Sequence, residues 1–409
     1  EEVKTVNIGN DMSVTLSIGF GLDTDSYLQD SQYARNAIDL ALGRGGDQAV
    51  VKSPGKIIYY GGKSEQVEKN TRVKARVKAH ALKEIIETKD DLIVMGHKNA
   101  DVDCFGSAIG IYRAAKHFGK KCHIILNDIP GAIRPLVDMF VDNEDYEADI
   151  FITSGEAMQL HDSNTAVVVV DTNKYNLTEC PELLEEAKTI VVLDHHRFGD
   201  GRITNATLSY VESYASSACE MVAEVLQYLA DDIKIKNYEA DCLYAGIMID
   251  TNNFMAKTGV RTFEAAAFLR RNGADITRVR KLFRNDLADY KAKAEAVKDA
   301  ELYKGKFAIS MCKCGTDVES PTIIGAQAAN ELLNINNVKA SFVLTDFNDT
   351  IYISARAIDE VNVQLIMEQL GGGGHMNIAG AQLAGKTLEE ADAILKETLD
   401  KMTEEETIK

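Results

Sequence analysis

Long apolar runs are missing from this sequence of 409 residues. No uninterrupted apolar stretch approaches the roughly 18 residues that a membrane-spanning helix needs. The first residues, Glu1–Lys4, do not have the pattern of a signal peptide. We therefore expect no membrane contact by this chain itself.

Cysteines are few and scattered. The seven cysteines are an odd number and lie mostly inside apolar segments, which fits a reducing cytosol better than a disulfide framework. Cys312 and Cys314 are the one close pair, and no second Cys or His pair stands at zinc-finger spacing. Strand positions on one face are therefore favoured over a zinc site, and the expected location of the chain is cytoplasmic.

Basic residues are outnumbered by acidic ones. The sequence has 45 Lys and Arg against 63 Asp and Glu, a formal net charge of −18 at pH 7. A long nucleic acid is an unfavourable partner, because binding to a duplex depends on basic surface. A small nucleotide stays possible, since carboxylates that bind divalent cations turn a negative pocket into a site for anions.

The chain is longer than a domain with a single hydrophobic core usually is, and its sequence patterns predict four segments. Residues 1–62 contain too few strands for a core of their own, so the chain is expected to begin inside a domain. Residues 63–90 are rich in Lys, Glu, Arg and Ala and predict one polar connector helix. That helix is either a solvated spacer or half of a short coiled coil with a second copy. Residues 91–300 and 301–409 predict two globular units.

Short β-branched runs alternate with helical patterns from Asp91 to about Ala300. This alternation predicts βαβ units and a mostly parallel sheet covered on both faces. A second, smaller unit with its own strands begins near Leu302 and ends in a helix from about Leu388. The predicted fold class is therefore α/β, a parallel-sheet domain followed by a smaller α/β domain.

Polar side chains follow four apolar runs, which we interpret as strand ends. An open α/β sheet presents its ligands at the carboxyl ends of its strands, so these side chains are expected to converge. The runs end in Gly96-His97 with two aspartates close behind, in Asp171, in Asp194-His195-His196-Arg197 and in Asp250. Six of these residues have no structural need to be there: His97, Asp101, Asp103, Asp171, His195 and Asp250.

These six side chains combine imidazoles with carboxylates and include no thiolate. Such a set suits Mn²⁺ or Mg²⁺, and the histidines favour Mn²⁺ or Fe²⁺. We assign one ion to His97, Asp101 and Asp171, and a second ion to Asp103, Asp171, His195 and Asp250. With Asp171 as the bridge, two ions about 3.5 to 4 Å apart would hold a bridging hydroxide for in-line attack on a phosphodiester.

Two residues beside this set are assigned to the substrate side of the site. His196 is expected to face the substrate or to orient a ligand, and Arg197 to contact phosphate or brace its loop. Further along, four consecutive glycines, Gly371 to Gly374, precede His375. Because glycine costs backbone entropy and adds no side chain, we do not expect a packing device alone. Their N–H groups can approach an anion closely.

The motifs between Gly96 and His375 resemble those of the DHH phosphoesterase family with its C-terminal DHH-associated domain. The resemblance covers about Asp91 to Lys401. It is carried by Gly96-His97 with Asp101 and Asp103, Asp194-His195-His196, Asp250-Thr251 and the Gly-Gly-Gly-His that ends at His375. Residues 1–62, with "SIGFG", a helix and "ALGRGGDQAVV", resemble the end of a GGDEF domain that lacks the motif itself. The whole order resembles GdpP-type cyclic-di-AMP phosphodiesterases.

The resemblance implies a hydrolase that opens cyclic-di-AMP to linear pApA with two Mn²⁺, for which Mg²⁺, Fe²⁺ or Co²⁺ could substitute. It places the metal ligands on the six residues named above, phosphate binding on Arg356, and a loop that meets the substrate on Gly373, Gly374 and His375. His196 and His375 are the catalytic candidates. It also implies that the intact protein is anchored in a membrane by segments that precede this cytosolic part.

Two alternatives stay open. Within the same class, the chain could cleave short linear oligonucleotides or dephosphorylate pAp, as nanoRNases do, although the GGDEF remnant favours a cyclic dinucleotide. From another class, it could be a nucleotide sensor without turnover, which predicts a lost metal ligand, and none is lost. We expect the substrate between the two α/β units, and a homodimer from the connector helix and incomplete first domain.

Overall fold

A computed structural model describes residues 16–24, 26–43, 48–54, 56–61, 72–196, 201–284, 286–313, 318, 320–358, 361–374 and 376–404. The chain divides into two compact units, Gln66–Arg284 and Glu1–Glu65 with Asn285–Lys409. The segment boundaries expected at residues 62, 90 and 300 stay predictions.

Residues 18–61 contribute a small three-stranded sheet and one helix. Strand β1 (Ile18–Gly21) lies parallel to β2 (Gln48–Ser53), which pairs antiparallel with β3 (Lys56–Gly61). Helix α1 (Tyr27–Gly43) lies between β1 and β2 in the chain. The sequence predicts strands at 13–18 and 48–52 in this segment, and residues 13–15 of the first lie outside the described residues. The strand β3 was not predicted.

The predicted connector is helix α2 (Arg72–Thr88), and one of its faces is buried. The residues on that face are at most 1% exposed and belong to the large core of the unit Gln66–Arg284: Ala75, Ala79, Leu82 and Ile86. Their spacing of three or four residues gives a helix one apolar stripe. The solvated-spacer interpretation is therefore wrong for residues 72–88, because this apolar stripe is buried. The many Lys and Arg residues of the segment made the stripe difficult to recognise in the sequence.

The same unit is built on a six-stranded sheet in which every pair of neighbouring strands is parallel. The strand order is β6-β5-β4-β7-β8-β9. In chain order the strands are β4 (Asp91–Met95), β5 (Lys121–Ile125), β6 (Phe151–Ile152), β7 (Thr165–Val170), β8 (Ile190–Asp194) and β9 (Leu208–Val211). The predicted fold class is confirmed, although β9 was not predicted.

Helices cover both faces of this sheet, so its strands are buried throughout. Val168 and Val170 of β7 belong to one core cluster, while Val167 and Val169 belong to the cluster on the opposite face. This burial explains why β7 reads as an unbroken apolar run without alternation. The helices are α3 (Val102–His117), α4 (Arg134–Val137), α5 (Ser154–Leu160), α6 (Pro181–Glu186), α7 (Ala218–Leu229), α8 (Asn237–Asp250), α9 (Val260–Arg271) and α10 (Ile276–Leu282).

The C-terminal part has its own six-stranded sheet, ordered β10-β11-β12-β13-β15-β14, in which only β11 and β12 are parallel neighbours. Its strands are β10 (Glu301–Tyr303), β11 (Phe307–Cys312), β12 (Ala340–Phe347), β13 (Thr350–Ala357), β14 (Gly373–Gly374) and β15 (Ile378–Ala384). Its helices are α11 (Leu287–Lys298), α12 (Pro321–Leu332), α13 (Val363–Gln369) and α14 (Leu388–Glu404). The strand β15 was not predicted.

Among the helices that the structure describes, none has both the length and the apolar character needed to cross a bilayer.

Candidate metal centre

Three adjacent strands deliver the centre of the candidate site. His97 follows β4 after one glycine, Asp171 directly follows β7, and His195 directly follows β8. These strands are neighbours and parallel, so their carboxyl ends meet at one edge of the sheet. The pattern of apolar runs ending in polar residues predicted this convergence.

Asp171 lies between the two histidines. Its Oδ2 is 3.4 Å from His97 Nε2, and its Oδ1 is 3.3 Å from His195 Nε2. The residue is buried, and Oδ1 has no hydrogen-bond partner among the described residues. A buried carboxylate oxygen in this position fits a cation ligand, because it otherwise loses hydration without compensation.

The backbone of Asp171 is also unusual, with a φ of 58°. This left-handed conformation is uncommon for residues other than glycine and costs free energy, so it persists where the surrounding structure imposes it. Here it turns the chain sharply at the end of β7 and directs the carboxylate to the site.

A second group of ligand atoms surrounds His195. Its Nε2 lies 3.8 Å from Asp103 Oδ2 and 3.5 Å from Asp250 Oδ2. These three residues offer ligand atoms within 4.8 Å of one another. The structure therefore brings together the side chains that we assigned to the second ion.

Asp103 is fixed by the helix that faces it. The backbone N–H of Ala218 donates to its Oδ2 at 2.6 Å, and that of Cys219 donates to its Oδ1 at 2.8 Å. Both donors lie in the first turn of α7, where N–H groups lack partners within the helix and favour negative charge. Asp103 is thus both a candidate ligand and the acceptor for the start of α7.

Asp250 reaches the site from a different element than expected. We interpreted the apolar run before it as a strand, and this was wrong, because Asp250 is the last residue of helix α8. An apolar run of three residues does not distinguish a buried strand from the buried face of a helix. The residues that follow, Asn252, Asn253 and Phe254, all have positive φ. A carboxylate at a helix C-terminus opposes the helix dipole, which is a sequence signal for a functional position.

Asp101 lies at the edge of the site and has a structural role as well. Its Oδ1 accepts from the N–H of Cys104 at 2.9 Å as the N-cap of α3, and the same oxygen is 3.8 Å from His97 Nε2. The ligand atoms grouped with His97 and Asp171 include the thiol of Cys104. Sequence reasoning missed this cysteine.

The facing carboxylates dominate the electrostatics of the site. Burial would lower the pKa of both imidazoles, but Asp101 and Asp171 raise that of His97 to about 11, and Asp171 with Asp103 raises that of His195 to about 9. Burial raises the pKa of Asp250 to about 6. Cations that take these ligands therefore displace protons.

His196 points to the accessible side of the site. Its side chain is 57% exposed, and its Nδ1 is 2.8 Å from Oδ1 of the buried Asp194. Asn173 donates to the other oxygen of Asp194 and so holds that carboxylate in place. With Nδ1 bonded to Asp194, Nε2 is the nitrogen that can exchange a proton with a ligand. Arg197 lies outside the described residues.

The glycine run in the C-terminal part has structural reasons at three positions. Gly371, with a φ of 76°, ends α13, because its N–H and that of Gly372 bond back to the helix carbonyls of Glu368 and Met367. A β-carbon on Gly372 would lie 2.1 Å from Gly380 O, and one on Gly374 would lie 2.5 Å from Ala379 Cα. Packing and backbone conformation therefore account for glycine at these three positions, and the expectation that packing is not the sole reason for the whole run stays a prediction.

Gly373 is the exception. A β-carbon there would have no atom within 4 Å, and Gly373 is not among the glycines with positive φ. Nothing in the described part of the chain requires glycine at this position. His375 lies outside the described residues.

Arg356 lies on β13 at the same end of its sheet as the glycine run. It pairs with Ile378 of β15, next to the pairing of Gly374 with Ala379. Its Nε donates to Asn330 Oδ1 at 3.0 Å, and burial lowers the pKa of its guanidinium. Within the described ranges no carboxylate lies within ion-pair distance of the Arg356 guanidinium.

Comparison with known families matches three parts of the chain. Residues 91–247 match the N-terminal domain of the DHH family, and residues 305–404 match the DHHA1 domain. Residues 1–58 match the GGDEF domain of GdpP-like cyclic-di-AMP phosphodiesterases.

Two curated relatives are similar along almost the whole chain. The chain is 40% identical over 408 residues to the cyclic-di-AMP phosphodiesterase GdpP of Bacillus subtilis. The alignment covers 99% of this chain and 62% of that protein. The chain is 40% identical over 399 residues to the cyclic-di-AMP phosphodiesterase PdeA of Listeria monocytogenes, with 96% and 60% covered. The chain thus spans about three fifths of the length of these relatives.

A solved structure shares the fold. An exopolyphosphatase-related protein from Bacteroides fragilis superposes with a TM-score of 0.64 at 19% identity, covering 80% of this chain and 96% of that one.

Proposed function

Because the chain belongs to the DHH family, with a DHHA1 domain and a GdpP-like GGDEF segment, we propose that it hydrolyses cyclic-di-AMP to linear pApA. The observation that carries this proposal is the buried Asp171 carboxylate, placed 3.4 Å from His97 and 3.3 Å from His195. The relatives named as cyclic-di-AMP phosphodiesterases support the choice of substrate.

The centre would hold two divalent cations, with Mn²⁺ as the first choice and Mg²⁺, Fe²⁺ or Co²⁺ as substitutes. One would be held by His97, Asp101 and Asp171, and the other by Asp103, Asp171, His195 and Asp250. When bound, the cations supply positive charge to the phosphodiester and activate water for in-line attack. The protein contributes the fixed positions of the carboxylates and excludes other ligands by burial.

His196 is proposed to handle a proton at Nε2. Opening a cyclic dinucleotide releases a ribose oxygen that must gain a proton, and an imidazole oriented through Nδ1 by a carboxylate can provide it. We expect His196→Gln to lower kcat by roughly 10²-fold while the Mn²⁺ content, measured by elemental analysis, is unchanged. Asp194→Asn is expected to act in the same direction. A loss of Mn²⁺ from His196→Gln would instead make His196 a ligand.

The substrate phosphates are proposed to bind at Arg197, at Arg356 and at the loop of Gly373, Gly374 and His375. The positive charge of Arg356 and the open space before Gly373 support this assignment. Anions bind readily where backbone N–H groups can be approached without a side chain in the way.

Gly373 and Gly374 offer a matched pair of substitutions. Gly373→Ala should leave the melting temperature unchanged and raise KM for cyclic-di-AMP by about tenfold, equivalent to about 1.4 kcal/mol of binding free energy. Gly374→Ala should lower the melting temperature, because its φ of 147° and the contact with Ala379 leave no room for a β-carbon. Unchanged kinetics for a folded Gly373→Ala would remove the loop from the proposed substrate site.

Incubation of the purified chain with cyclic-di-AMP, cyclic-di-GMP, pApA and pAp, with Mn²⁺ or with EDTA, tests the function. We expect pApA to form from cyclic-di-AMP only when Mn²⁺ is present. Turnover confined to pApA and pAp would favour the nanoRNase-like alternative. Binding of cyclic-di-AMP without Mn²⁺-dependent hydrolysis of any compound would favour the sensor.

A further inference from the structure

A thiol completes one of the groups of ligand atoms at the centre. His97, Cys104 and Asp171 offer a nitrogen, a sulfur and an oxygen that all lie within 4.8 Å of one another. Ligands about 2.0 to 2.3 Å from one ion are at most about 4.6 Å apart, so the three atoms are spaced nearly as the ligands of one cation are. The cysteine is therefore part of a cluster and not an isolated thiol.

The local structure holds the sulfur in this position. Cys104 is the third residue of α3, and its N–H donates to the N-cap Asp101, which fixes the first turn of the helix. A β-carbon on Gly96 would lie 1.9 Å from Cys104 Sγ. The sulfur thus occupies the space that a side chain at position 96 would need. Gly96 directly precedes His97 in the chain.

Cys219 provides a contrast within the same site. Its Sγ lies 3.3 Å from the backbone carbonyl of Asp103 and donates to it, and it belongs to none of the ligand groups found among the described residues. Both thiols are buried next to a candidate ligand. Only the position of Cys104 places sulfur together with an imidazole nitrogen and a carboxylate oxygen, so Cys219 is a matched control.

We infer that Cys104 is a ligand of the cation that His97 and Asp171 hold. The inference rests on the proposed metal centre and adds a soft donor to its first ion. On binding, the thiol releases its proton to solvent and the thiolate bonds to the cation. Because thiolates favour Zn²⁺, Fe²⁺ and Co²⁺ over Mg²⁺, the Cys104 thiolate would make Mg²⁺ the least favoured of the proposed cations in this half of the centre.

Cobalt provides a direct optical test. The metal-free chain is loaded with Co²⁺, the bound Co²⁺ is counted by elemental analysis, and the near-ultraviolet sulfur-to-cobalt charge-transfer band is recorded. We expect the band in the unmodified chain and in Cys219→Ser, and its loss in Cys104→Ser. Competition with a chelator should show Zn²⁺ affinity at least about tenfold lower in Cys104→Ser, as expected when a metal site is weakened.

The outcomes separate the two proposals. A chain that binds Co²⁺ without the band, or a band that persists in Cys104→Ser, overturns the inference and leaves the metal centre intact. A chain that binds no Co²⁺ overturns both. If Cys104→Ser does not fold, X-ray absorption of the unmodified chain loaded with Zn²⁺ decides, because a thiolate ligand requires a sulfur at about 2.3 Å. Its absence would also overturn the inference.

Discussion

Asp171→Asn is expected to abolish Mn²⁺-dependent hydrolysis of cyclic-di-AMP. Its carboxylate faces both His97 and His195, so a neutral amide in its place removes the ligand that the two proposed cations share. We expect a loss of at least about 10³-fold in kcat/KM, equivalent to about 4 kcal/mol of transition-state stabilisation. Elemental analysis should show less than the full complement of Mn²⁺.

The same substitution should leave the fold intact. Asparagine adopts the left-handed backbone of position 171 more readily than most residues, and Oδ1 has no hydrogen-bond partner to lose among the described residues. One negative charge also leaves a crowded cluster of carboxylates. The lost contacts with His97 and His195, whose pKa values Asp171 raises, act in the opposite direction, so the melting temperature in EDTA should change little. Full activity with two Mn²⁺ bound would contradict the role of Asp171.

Asp103→Asn is expected to lose both activity and stability. Both oxygens of Asp103 accept hydrogen bonds from N–H groups in the first turn of α7. Asparagine replaces one of these oxygens with an NH₂ group, which cannot accept a hydrogen bond. A buried N–H without an acceptor, together with a lost charge at a helix N-terminus, costs about 2 to 4 kcal/mol. Urea unfolding in EDTA should show this decrease, because it does not depend on bound metal.

Asp250→Asn is the matched control for that measurement. It makes the same chemical change within the same cluster, but Asp250 lies at the C-terminus of α8, where a negative charge is unfavourable. We expect activity to fall and the unfolding free energy in EDTA to stay the same or rise. Equal destabilisation by both substitutions would show that charge, and not the bonds to α7, sets the stability effect.

The sequence alone was sufficient to predict the position of a site residue where its side chain directly follows a buried strand. His97, Asp171 and His195 could be predicted as neighbours because parallel strands end at one edge of a sheet, and the α/β class follows from the alternating pattern. Asp250 was placed near the right partners but on the wrong type of element, since a short apolar run is ambiguous.

Other features depend on packing that chain spacing does not encode. Average composition made α2 read as polar, although four of its residues form a buried stripe. The helical turn after Asp101 brings Cys104 back against Gly96, and no one-dimensional pattern places a thiol there. The roles of individual glycines likewise emerged from the register of β14 and β15, which was not predicted.

The hydrogen bonds that the α7 backbone donates to Asp103 affect how quickly cations could enter the proposed metal centre. A candidate ligand held by a neighbouring helix keeps its position without metal, so the proposed centre does not need to assemble around an arriving ion. Loading should then proceed at a rate set by how readily the ion sheds its water shell, and slowly exchanging Mg²⁺ should lag behind Mn²⁺.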